Sequence, residues 1–309
     1  MTTMRIHLGT SGFSYEDWRG VYYPADLPKR EMLTFYAGRR NVQPDLLAPD
    51  EGDDAPVFET VEINATYYRL PPARVFAAMA AKTPPGFTFC VKAPGGVTHP
   101  RDYTTSDRAL IEAYCAAVTP LAAEGKLGPT LLQFPHRFRP DQTGLNYLRA
   151  VAAEFAGLDA VVEFRRREWL SEEALSLLNE LGLGWVSVDM PPLEGLPPPL
   201  LAATTPTVYV RFHGRNARSW WRGDNISRYD YAYGEDELAP WAERLRALER
   251  EPITETIPAL PPLTGDDSDL ARMIRLLQGP IERVFLFFNN HPRGKAVQAA
   301  RALRGMLAR

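Results

Sequence analysis

The sequence predicts an α/β fold closed into a single (β/α)8 TIM-type barrel, on three observations. Eight short apolar runs recur along 309 residues, stretches of helical periodicity separate them, and the runs are almost continuously apolar rather than alternating. Parallel strands buried on both faces read this way, and helical crossovers between strands imply parallel pairing. A doubly wound open sheet competes, but it wants a glycine-rich phosphate turn that opens a helix after the first strand. Here the first strand runs into Gly9-Thr10-Ser11-Gly12-Phe13, without the G-x-G-x-x-G spacing. A closed barrel uses all eight units and accounts for residues 1–309 as one domain.

The predicted strands are 5–9, 57–63, 87–92, 130–134, 160–164, 184–189, 207–212 and 283–288, each rich in β-branched and aromatic residues. The clearest helical patterns are 33–39, 73–82, 106–123, 144–155, 171–181, 235–248 and 295–307. Ser171-Glu172-Glu173-Ala174 supplies a capping serine with acid in the first turn. The sixth connector, 191–205, is proline-rich and has room for one helical turn at most. Two polar segments, 41–56 and 251–267, read as insertions. Each follows a helix and precedes a strand, so a barrel puts both on its N-terminal face, away from chemistry.

Composition is ordinary for a water-soluble globular chain, with 45% hydrophobic and 24% charged residues. A core of this size needs no disulfide or metal staple. The net charge of −3, from 35 basic and 38 acidic residues, is no footprint for nucleic acid, so such a partner is not favoured. Cys90 and Cys115 lack metal-ligand spacing, and Cys90 lies within the apolar run Phe87-Thr88-Phe89-Cys90-Val91. Two free thiols suit a reducing compartment. The first residues show no charged and apolar leader, and no apolar run is long enough to cross a bilayer. A cytoplasmic protein with no membrane partner is expected.

In a barrel, reacting groups come from the C-terminal strand ends and the loops after them. Those positions hold Glu62 and Asn64, Lys92, Gln133, Glu163 and Arg165, Asp189, Arg211 and His213, and Asn289. Strand side chains alternate with period two. Glu62 and Asn64 therefore share a face, as do Cys90 and Lys92, Glu163 and Arg165, Ser187 and Asp189, Arg211 and His213, and Phe287 and Asn289. If these faces turn inward, carboxylates, cations, a histidine and amides converge on one polar pocket. Any one such residue is more often a sheet cap than a functional group. Seven of eight strands ending in a charged or amide side chain is harder to dismiss, because buried charge is kept mainly where it is used. Two aromatic loops, 13–24 with Trp18 and 214–233 with Trp221, are placed to roof the pocket or to pack on the barrel top.

These residues also carry a family pattern. Gly9-Thr10-Ser11-Gly12-Phe13-Ser14-Tyr15 with Trp18-Arg19-Gly20 resembles the opening of the YecE-like family, a domain of unknown function (DUF72). So do Val61-Glu62-Ile63-Asn64-Ala65-Thr66-Tyr67-Tyr68-Arg69-Leu70-Pro71 and Val91-Lys92-Ala93-Pro94 with Thr98-His99. Gln133-Phe134-Pro135, Val162-Glu163-Phe164-Arg165, Arg211-Phe212-His213-Gly214-Arg215 and Phe288-Asn289-Asn290 continue the match nearly end to end. The resemblance implies a TIM-type barrel of uncharacterised activity. It adds Tyr67 and His99 to the site. The chain departs from the pattern in its longer 41–56 and 251–267 segments and in His291, where an acidic residue is common.

Three functions compete. The leading one is metal-free acid–base or hydrolytic chemistry on an anionic small molecule or sugar bearing phosphate or carboxylate. In it Glu62, Lys92, Glu163, Asp189 and His213 are the catalytic candidates. Asn64, Tyr67, His99, Gln133, Arg165, Arg211, Asn289, Trp18 and Trp221 are the substrate-binding ones. The second is a divalent-metal-dependent hydrolase, isomerase or endonuclease-like phosphoesterase with Glu163, Asp189 and His213 as ligands. The third is a non-enzymatic module that stacks a nucleotide or single-stranded nucleic acid on the 215–233 loop. No Walker motif, H-E-x-x-H, G-x-S-x-G or cysteine-pair metal signature is present.

Overall fold

Eight strands pair in parallel and in sequence order to close a ring, and the last pairs with the first. They are β1 (Arg5–Ser11), β2 (Thr60–Ile63), β3 (Thr88–Lys92), β4 (Leu127–Gln133), β5 (Ala160–Glu163), β6 (Leu183–Asp189), β7 (Thr207–Phe212) and β8 (Arg283–Phe288). This is a computed structural model, and it describes residues 4–38, 58–250, 274–275 and 280–309. The insertions expected at 41–56 and 251–267 lie outside the described residues.

Crossover helices form where helical periodicity predicts them: α1 (Met32–Tyr36), α2 (Ala73–Ala81), α3 (Arg108–Ala123), α4 (Gln142–Glu154), α5 (Glu172–Glu180), α6 (Glu235–Arg250) and α7 (Lys295–Leu307). Ser171 caps α5 by accepting from the Ala174 amide at 3.2 Å. Asp107 and Asp141 cap α3 and α4 in the same way. No helix follows β6. The proline-rich connector carries only a two-residue strand, Ala202–Ala203, because prolines cannot supply the amide donors a helix ladder needs.

The strands' two faces build two apolar layers. Outward residues such as Val61, Val91, Val162, Trp185, Val210 and Phe288 pack under the helices. Inward residues fill the ring as a separate plug of Cys90, Leu131, Val161, Val186, Tyr209 and Phe285 with their neighbours. One strand begins earlier than periodicity suggests. Gly128-Pro129 precedes the expected strand but lies inside β4, where the pairing with β3 shifts register between Phe89 and Val91. A side chain at Gly128 would come within 2.8 Å of the Cys90 sulfur, so only glycine lets the strand pass there.

Candidate functional site

Above the apolar plug the inward positions turn polar. Glu62 and Asn64, Lys92, Gln133, Glu163 and Arg165, Arg211 and His213, and Asn289 come together at the C-terminal ends of six strands. The expected convergence of these faces is therefore present in the geometry.

The lower layer is an ion-pair cluster built around Arg211. Its Nη1 donates to Glu163 Oε2 at 2.5 Å and its Nη2 to Glu62 Oε1 at 2.6 Å, so one guanidinium holds carboxylates from β2 and β5. Glu62 also accepts from Tyr209 Oη at 2.8 Å and Asn64 Nδ2 at 2.9 Å. Arg165 Nε lies 2.6 Å from Glu163 Oε1, and His213 Nε2 lies 3.3 Å from the same oxygen. Both carboxylates are fully buried. Burial alone would raise their pKa values. For Glu62 the Arg211 charge and the Arg211 and Tyr209 hydrogen bonds outweigh it; for Glu163 the Arg165 and Arg211 charges do. Both stay ionised, with Glu163 well below the usual carboxylate range. Burial, reinforced by the Arg165 charge, drops the His213 pKa to about 4, so its imidazole is neutral at pH 7. Asn289 Nδ2 sits 3.1 Å from His213 Nδ1 and, as a donor, leaves the ring proton on Nε2, facing Glu163.

The upper layer opens into a cavity of about 430 Å³. Asn64, Lys92, Gln133, Arg165, Arg211 and Asn289 line its base. Tyr67, His99 and Trp221 line its walls. Lys92 Nζ donates to Gln133 Oε1 at 2.7 Å and stands 4.5 Å from the Tyr67 ring centre. Among the described residues no carboxylate comes within ion-pair distance of it, because Arg211 and Arg165 occupy Glu62 and Glu163. Burial lowers the Lys92 pKa to about 7, and the Arg211 and Arg165 charges add to that effect. His99 falls to about 4, through burial first and then the Lys92 charge.

Four of the five expected catalytic groups do not reach the cavity. Glu62 and Glu163 lie one layer beneath its lining, and His213 is fully buried against Trp220 and Tyr229. Asp189 lies on the opposite face of its strand. In β6 the inward positions are Val186, Val188 and Met190, which pack in the plug, so Ser187 and Asp189 point out toward α6. Asp189 accepts there from Arg215 Nε and Nη2 at 2.9 and 2.7 Å, Tyr233 Oη at 2.9 Å and Trp241 Nε1 at 2.7 Å. The three residues considered as metal ligands, Glu163, Asp189 and His213, are thus split between two faces. Among the described residues no three His, Cys, Asp or Glu side chains are grouped to hold a metal ion. Trp18 is fully buried, stacks on Tyr23 and donates from Nε1 to the His291 carbonyl at 2.7 Å, so it braces the first loop rather than lining the cavity.

Other lining residues were not singled out by strand-end reasoning. Tyr15 enters from the first loop, Tyr68 follows Tyr67, and His136 and Leu196 come from the connectors after β4 and β6. Trp220, Arg228 and Tyr229 descend from the loop after β7, and His291 from the turn after β8. Arg165 sits 5.6 Å from the Trp220 ring centre, which ties that loop to the floor. Tyr68 and Trp221 remain 77% and 54% exposed at the mouth, free to take a ligand. The signal for the roof was the aromatic and arginine content of the 214–233 loop; nothing in the sequence marks Leu196 or His136.

Residues 7–42 and 54–259 match the family described as "Protein of unknown function DUF72". The UPF0759 protein YunF of Bacillus subtilis (strain 168) is 33% identical over 262 residues, covering 80% of this chain and 85% of that protein. The UPF0759 protein YecE of Escherichia coli O157:H7 is 28% identical over 148 residues, 46% of this chain and 52% of its own length. A crystal structure of a DUF72 family protein from Thermotoga maritima MSB8 superposes with a TM-score of 0.76 at 33% identity, covering 99% of this chain and 100% of that one. Among the described residues no helix is long and apolar enough to cross a membrane.

Proposed function

This chain belongs to the DUF72 family, and from the chemistry of its site we propose that it is an enzyme for an anionic small molecule or sugar, working by acid–base or hydrolytic chemistry in which Lys92 moves the proton. The observation that carries the reading is charge imbalance. Four cations, Lys92, Arg165, Arg211 and Arg228, line the cavity, while the carboxylates that neutralise two of them lie below its lining. A phosphate or carboxylate entering the cavity meets positive charge and charge-assisted donors in a partly desolvated setting. Lys92, with a pKa near working pH, is suited to take and return a proton.

In this reading Glu62 and Glu163 are positioning residues. Ionised, and held by hydrogen bonds from Arg211 and an ion pair to Arg165, they fix those two guanidinium groups and have no proton to give. A paired-carboxylate glycosidase needs one protonated carboxyl group, and these two share a guanidinium instead. Calorimetry with inorganic phosphate, sugar phosphates and small carboxylates tests the proposal, on the native chain and on Lys92→Met. Anion binding that weakens at least tenfold in the variant is expected. Equal binding by both proteins, or none by the native chain, would overturn it.

A further inference from the structure

We propose that Lys92 is a nucleophile that forms an imine with the carbonyl carbon of an anionic aldehyde or ketone. This rests on the anion-binding reading above and names the substrate class of the same site.

Two observations on the cavity wall lead here. No Ser, Thr, Cys, Asp or Glu lines the cavity among the described residues, so the side-chain oxygens and sulfurs that usually attack carbonyl carbon are missing from it, tyrosines apart. Lys92 supplies the aliphatic amine there. Its Nζ is held by one hydrogen bond to Gln133 and by the Tyr67 face, with no ion pair to lock it as an ammonium. Cations on neighbouring strands favour the uncharged amine, which has the lone pair that attack requires. The same cations, with Arg228 from the roof, hold the anionic end of a substrate and present its carbonyl to the nitrogen.

The step balances without any redox partner. The uncharged amine adds to the carbonyl carbon; a C–N bond forms while the carbonyl π pair moves onto oxygen. One N–H proton passes to that oxygen and gives a carbinolamine. A second proton, taken from water in the open cavity, turns the hydroxyl into a leaving water, and the nitrogen lone pair closes the C=N bond. Amine, carbonyl and one proton become a protonated imine and water. The cation restored at nitrogen can then draw electrons from the neighbouring carbon, which is the use an enzyme makes of such a link.

The chain has only five lysines, which makes the test clean. Lys126 is buried with its Nζ bonded to Ala80 and Thr83, and Lys295 is paired with Asp230, so Lys29 and Lys82 are the exposed background. The native protein is treated with pyridoxal 5′-phosphate, a phosphorylated aldehyde, then reduced with borohydride and mapped by peptide mass spectrometry. Labelling concentrated at Lys92, at least tenfold above Lys29 and Lys82, and suppressed by excess inorganic phosphate, is the expected result. Labelling confined to Lys29 and Lys82 would overturn the imine. Pyridoxine 5′-phosphate, which has an alcohol in place of the aldehyde, separates the two proposals. If it raises the melting temperature while Lys92 stays unlabelled by the aldehyde, the anion site stands and the imine falls. If it has no effect and Lys92 stays unlabelled, both fall. The mapping is done on the native chain, so it does not depend on whether Lys92→Met folds.

Discussion

Two charged clusters sit at the same height on this barrel, one inside the ring and one outside. The outer one joins Asp189 to Arg215, Tyr233 and Trp241, and Arg215 to Glu237 at 3.1 Å. Every charge in it has a partner, and Asp189 at its centre is fully buried beneath α6. The inner one joins Glu62, Glu163, Arg211 and Arg165, and then leaves Lys92 facing a cavity without a carboxylate partner. Residue type alone does not tell these clusters apart, since each is acid, arginine and aromatic. What separates them is closure. A cluster whose charges are all paired within it is cement for a loop; one that leaves a cation unpaired and facing open volume is prepared for a ligand.

The comparison breaks first at Arg211. Arg211→Met leaves two buried carboxylates without their shared guanidinium, and chemical denaturation should show a loss of about 3–5 kcal/mol. A loss under about 1 kcal/mol would mean the carboxylates are readily rehydrated. In the outer cluster, Asp189→Asn keeps the shape and removes the charge, so about 2–3 kcal/mol of stability should go. Calorimetric affinity for anions should fall far less than it does in Lys92→Met. If both variants lose anion binding equally, the outer cluster is part of the site and the distinction fails.

Lys92 sharpens the contrast with the opposite sign. Its pKa is about 7 when folded against 10.5 for an ordinary lysine, so the unfolded chain holds the extra proton between these values and folding is penalised at neutral pH. Lys92→Met should therefore be the more stable protein at pH 7, by about 2 kcal/mol after the lost Gln133 hydrogen bond is counted. That advantage should shrink as pH rises toward 10.5. A destabilised variant at pH 7 would show that Lys92 is an ordinary solvated lysine. Borohydride labelling of Lys92 should rise steeply between pH 6 and 8 as the amine loses its proton. The smallest effect is expected at the mouth. Trp221→Ala should change stability by less than about 0.5 kcal/mol, since the side chain is half exposed, yet weaken binding of ring-bearing anions measurably.

Much of the inner cluster was legible in the sequence because period-two alternation assigns faces wherever one partner is already known to point inward. Glu62 with Asn64, Glu163 with Arg165 and Arg211 with His213 follow from it. Asp189 did not follow, because β6 is apolar on both faces. Trp185 packs outward while Val186 and Val188 pack inward, and such a run has no readable phase. Depth was also hidden. Alternation says which way Glu62 points, but how high the apolar plug rises decides that Asn64, two residues on, lines the cavity while Glu62 lies beneath it. Trp18 and Tyr15 share a loop of aromatics, and only tertiary packing decides that one braces and the other lines.

The grip of Arg211 on two strands that are not neighbours has a consequence for selectivity. Anchored on β7 and holding β2 and β5, its guanidinium is a three-way crossbeam under the cavity, and it fixes the cross-section of the ring at that level. A ligand's head group therefore meets a base whose shape was set at folding, and it is admitted or refused on size. The rest of the ligand meets the loop after β7, tied to the barrel by Arg215, cross-linked within itself by Asn216 and Ser227, and carrying the exposed Trp221. Molecules sharing one head group but differing in their bodies should arrive at similar rates and leave at different ones.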